Sequence, residues 1–103
     1  MSTAANAERG ETELIIEGQR YVLRPSFENL VAAEEELGSL FALVERAGQG
    51  ELLLSEIAAL FWFCQHGPAP LPREDIGEAV VAMGLAGAAA PLKTMLGQIL
   101  RGR

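Results

Sequence analysis

Two short β-rich runs open this chain, and every later apolar run is spaced for helix. That order allows one hairpin and a helical body, with no room for a large sheet. The runs are Glu11-Thr-Glu-Leu-Ile-Ile and Arg20-Tyr-Val-Leu-Arg24, joined by Glu17-Gly18-Gln19, and Pro25 ends the second because proline cannot donate to a ladder. Ser26 is placed to cap a first helix over Phe27 to Leu37, with Glu28 in its first turn and Gly38 as its stop. A second helical segment covers Leu40 to Ala47, and a third starts at Ser55-Glu56 and carries Ile57, Leu60, Phe61 and Cys64 on one face. The prolines of Gly67-Pro-Ala-Pro-Leu-Pro72 impose a stiff loop, after which Arg73-Glu74-Asp75 opens a fourth helix with Ile76, Ala79, Val80 and Met83 at helical spacing. Gly84 closes it. Leu85 to Ala90 read as a small-residue joint, and Pro91 starts a fifth helix bearing Leu92, Met95, Leu96, Ile99 and Leu100. The expected fold is α+β and mainly α, an N-terminal β-hairpin followed by four or five short packed helices. Residues 1–10 are polar and aperiodic and are expected to form a flexible arm, leaving 11–103 as a single domain.

Charge and cysteine content narrow the functions. Fourteen acids against eight bases give a net charge of -6, which repels a phosphate backbone and argues against nucleic-acid binding as the main activity. The imbalance is local: residues 1–78 hold all fourteen acids, whereas 79–103 hold Lys93, Arg101 and Arg103 and no acid. A single cysteine, Cys64, forbids an internal disulfide and two-cysteine metal motifs and fits a reducing compartment. The first residues lack the pattern of a secretory signal, and the longest uninterrupted apolar run, Ile57 to Cys64, is far shorter than the ~20 residues of a bilayer span. A cytoplasmic protein without membrane contact is the expectation.

Chemistry-bearing clusters are sparse. Cys64 and His66 form a Cys-x-His pair, but the flanking Phe61, Trp62 and Phe63 favour a buried neutral thiol over a nucleophile or half a metal site. No catalytic residue, metal or cofactor is expected. On a helical projection from Phe27, Glu34 falls amid Leu30, Val31 and Leu37, so it is expected to be a buried polar group. An embedded carboxylate needs a partner such as Arg20, Arg24, a capping N–H or a bound protein, unless the helix is rotated and carries Glu34 to the edge. Trp62 and Phe63 lie beside the core face of their helix and are expected either to wall a second core or to contact a partner. Leu14, Ile16 and Val22 are hairpin positions expected to pair with another chain.

The ordered run Tyr21-x-Leu23-Arg24-x-Ser26-Phe27, then LVAAEEELG from Leu30 to Gly38, then GELLLSEIAALFW, then IGEAVVAMGLAGAAAPL resembles the gene transfer agent family of small phage-derived tail proteins. The resemblance covers about residues 11–100. Its characteristic positions correspond to Glu34 and Gly38 at the end of the first helix, Glu56 in the Ser-Glu-Ile segment and Gly84 in the Met-Gly-Leu-Ala joint. Members carry the labels tail tube protein and tail assembly chaperone. The first label implies a sizeable sheet offered to ring neighbours, and the second implies a small, soluble, mostly helical body that holds tail subunits until they polymerise. The resemblance therefore implies a non-enzymatic tail assembly chaperone whose partners are tail tube or tape-measure protein, with weak self-association a further expectation. A minor tail tube component is the alternative.

Overall fold

A computed structural model describes residues 11–67 and 69–102. The flexible arm expected over 1–10 lies outside the described residues, as does Arg103. The elements in chain order are β1 (Thr12–Ile16), β2 (Gln19–Leu23), α1 (Phe27–Leu37), α2 (Leu40–Gly48), α3 (Leu54–Phe63), β3 (Gln65–His66) and α4 (Arg73–Arg101). The α+β, mainly helical class expected from the sequence is the class found.

The hairpin forms where the β-rich runs place it. Its loop is the two residues Glu17 and Gly18, with φ of 51° and 80°. Positive φ at both central positions is what a type I′ turn requires, and that turn matches the twist of the strands it joins. Leu14 therefore pairs with Tyr21 and Ile16 with Gln19, while the two-residue β3 adds to the far side of β2 through Val22 and His66. Sheet order is β1-β2-β3, antiparallel throughout.

The helices pack on the inner face of this sheet. Leu14 and Leu23 from the strands meet Ala33 of α1, Ile57, Leu60 and Phe61 of α3, and Ile76, Val80, Met95 and Leu96 of α4 in one continuous core. α3 is the central element: five consecutive residues, Ile57 to Phe61, are buried, because both α1 and α4 pack against it. Its broad apolar arc, too wide for one contact, is thereby accounted for.

Two boundaries differ from the sequence reading. α3 starts at Leu54 with Leu53 as its N-terminal flank, so Ser55 lies inside the helix and does not cap it. The Glu56 carboxylate takes over that task, accepting the Leu53 N–H at 2.9 Å, an arrangement that satisfies one of the free donors at a helix start. The segment Leu85–Ala90 is helical, not a joint, because its alanines are strong helix formers. The only break in α4 is Gly84 itself, at φ 80° and ψ 157°, which divides the helix into an arm of residues 73–83 and an arm of residues 85–101. Pro91 sits within the second arm.

By length and composition α4 is apolar enough to cross a bilayer, although no uninterrupted run in the sequence is. Its apolar residues Ile76, Val80, Met95 and Leu96 are spent on the core, and the Gly84 break leaves each arm short of the ~20 residues a span requires.

Candidate interaction surface

The sequence singled out six positions, and the structure distributes them over three places. Glu34 is exposed and not buried, which corrects the expectation. Its helix buries Ala33, with Leu30 and Leu37 half-buried, whereas Phe27, the reference for the projection, is 85% exposed. Alanine, too small to stand out in the sequence, marks the true inner face. Glu34 does have a capping partner: its carboxylate accepts the Leu40 N–H at 3.1 Å and so holds the start of α2.

Leu14 and Val22 are also corrected as positions for pairing with another chain. Leu14 is 2% exposed and is part of the core, while Val22 already pairs with His66 of β3. Ile16 is half-buried against the core. The backbone register explains why the free edge lies elsewhere. Arg24 N–H donates to the Cys64 carbonyl at 2.7 Å, so the even-numbered residues of β2 turn their backbone groups toward β3 and the odd-numbered ones toward β1. Tyr21 and Gln19 thus bond Leu14 and Ile16, and the outward-facing groups of β1 belong to Glu13 and Ile15. Ile15 is 57% exposed.

Trp62 and Phe63 are half-buried and pack edge to face, with ring centroids 4.9 Å apart and an interplanar angle of 70°. The Arg73 guanidinium lies over both rings, 4.3 Å from the Trp62 centroid and 5.2 Å from that of Phe63. Glu36 holds Arg73 in place through a bidentate pair at 2.6 and 3.0 Å. Glu36 thereby joins α1 to the start of α4. The paired guanidinium keeps the Glu36 carboxyl below its ordinary value, and the carboxylate raises that of Arg73.

Two further ion pairs were not legible in the sequence. Glu11, 4% exposed, pairs with Arg24 and ties the start of β1 to the end of β2. Arg46 of α2 grips Glu56 of α3 with two hydrogen bonds of 2.7 Å. The Arg46 hydrogen bonds, followed by the Leu53 N–H, lower the Glu56 pKa. A folded pKa held below the unfolded value contributes stability above the unfolded pKa of about 4.3, and that contribution disappears as pH falls through the folded value. Glu56→Ala is expected to lower stability by about 1 kcal/mol at pH 7, the size of a lost cap. Glu56→Gln keeps a group able to accept the Leu53 N–H but removes the titration. Urea unfolding from pH 7 down to pH 3 should show a shallower loss of stability for the Gln variant than for the parent, and parallel curves would count against this role.

Cys64 is fully buried at the end of α3, and burial pushes its thiol up to about 12. At neutral pH it is a protonated packing group, not a nucleophile.

Between the start of α3 and the first arm of α4 runs an open groove of about 800 Å³. Leu53, Leu54 and Val81 supply its apolar surface, exposed by 62, 44 and 61%, and Glu74, Asp75 and Glu78 stand along it. First-turn acids on α4 complement the helix dipole. The dipole does not account for Glu78 or for the exposed leucines.

Fold and surface together define a small α+β domain whose distinctive chemistry lies in apolar ridges, an open strand edge and an acidic groove. The chain belongs to the family described as phage tail tube protein, GTA-gp10, which it matches over residues 9–102. It is thus a gene transfer agent tail-family protein, in a family that is structural in character. Comparison with curated proteins returns no match, and comparison with solved structures returns none either.

Proposed function

We propose that the chain is a non-enzymatic tail assembly chaperone, acting in the cytoplasm on tail tube or tape-measure protein before the tail polymerises. The observation that carries this reading is the size of the sheet. Its two main strands have five residues each and its third has two, whereas a wall built from ring neighbours calls for extended sheet on every subunit. The exposed apolar residues lie mainly on helices, among them Phe27, Phe41, Leu54 and Val81, and such surface supports reversible contact with a partner. Membership of the family supports tail proteins as the partners.

A structural tube component is the second reading, favoured by the family's description and by the outward backbone groups of Glu13 and Ile15 on β1. Quantitative mass spectrometry of purified particles and of lysates separates the two. A chaperone is expected in lysate complexes with tube or tape-measure protein and far below tube stoichiometry in particles. Stoichiometric presence in particles, with no lysate complex, would establish the tube component instead.

A further inference from the structure

We infer that the acidic groove receives the C-terminal arm of a second copy of this chain, so that copies join head to tail. The groove side of the contact is the apolar surface of Leu53, Leu54 and Val81 with Glu74, Asp75 and Glu78 beside it. No ion pair engages these three carboxylates among the described residues.

The matching surface is on the same molecule. The arm 85–101 turns Ala88, Met95 and Leu96 into its own core. At 3.6 residues per turn, Ala90, Lys93, Gly97, Leu100 and Arg101 gather on another side. Lys93, Leu100 and Arg101 are exposed there, Leu100 by 59%. Ala90 keeps that stripe low, and the Arg101 guanidinium lies over Gly97, which places its charge beside Leu100. The arm bears no acid at all, and the groove is lined by no base. An apolar side chain flanked by two cations therefore faces an apolar groove flanked by three carboxylates, a complementarity that sets register and discourages like-with-like contact.

Groove and arm are different patches, so a bound pair still presents one free groove and one free arm. The contact is heterologous and repeats, closing into a ring or extending as a filament according to the rotation per step. This inference does not depend on the chaperone reading: it concerns contacts between copies, whichever tail protein they serve.

Sedimentation equilibrium across a wide concentration range, at low salt and at about 1 M salt, where the Debye length is about 3 Å, tests it. Self-association is expected at low salt and should be strongly weakened at high salt. Two charge-reversed variants, Glu74→Lys/Glu78→Lys in the groove and Lys93→Glu/Arg101→Glu on the arm, should each weaken association by about tenfold or more. These substitutions are on exposed positions, and circular dichroism checks that both variants fold. Mixed together, the two variants should form hetero-complexes, because the reversed groove now meets the reversed arm. A chain that stays monomeric at every concentration overturns the inference. So does association that neither reversal weakens, or a mixture that fails to restore it.

Discussion

Replacing Phe61 with Ala is expected to remove about 3–5 kcal/mol of folding stability. Phe61 is the largest of the fully buried side chains, with none of its surface exposed, on the helix against which both α1 and α4 pack. Truncating a buried phenylalanine costs about 3–5 kcal/mol, part lost transfer energy and part cavity. A domain of this size has a total stability of about 5–15 kcal/mol, so one such loss removes a large share of it. The site has little freedom to collapse, since Ile57, Leu60, Ile76 and Val80 are buried with it in the same core. Urea titration followed by circular dichroism measures the effect. A loss below about 1 kcal/mol, the level of an ordinary surface change, would mean that Phe61 is not at the centre of the core.

The second large effect concerns two glycines three positions apart, with opposite expected signs. Gly84 has φ 80° and ψ 157°, a backbone region that only glycine occupies without strain. Gly84→Ala has ample space, since nothing lies within 4 Å of an added Cβ, yet it should cost about 1–3 kcal/mol from the backbone alone. Gly87 is in the helical arm that follows, where an added Cβ meets Met83 at an ordinary 3.4 Å. Gly87→Ala should raise stability by about 0.4–1 kcal/mol through a more restricted unfolded chain and better helix propensity. Thermal unfolding of the pair, each against the parent, tests the sign of both. Equal behaviour would show that the break in α4 is not a glycine-specific turn.

The legible features are those fixed by neighbours in sequence. The Ser26 hydroxyl accepts the Asn29 N–H at 3.2 Å, and α1 spans Phe27–Leu37 as its cap and stop residues direct. The hairpin, the proline loop and the Gly84 break are likewise local events. What escaped depends on contacts between distant segments. β3 has only two residues, too few to carry an alternation, and exists because α3 ends beside β2. The pairs Glu36–Arg73 and Glu56–Arg46 join separate helices, so no helical spacing announces them. Glu34 misled because the projection weighted Phe27 and Val31, both of which are exposed, above Ala33, which is buried. The edge of β1 was missed by one residue, since side-chain alternation shows which face is inward but not which backbone groups the turn leaves unpaired.

Cys64 gives the molecule a built-in clock. With its sulfur out of solvent and its proton held until about pH 12, an alkylating reagent can reach it only after the seam between the end of α3 and the sheet parts. The speed at which a thiol dye attaches therefore counts those partings directly. Because the chain has no other cysteine, the count comes from one known place.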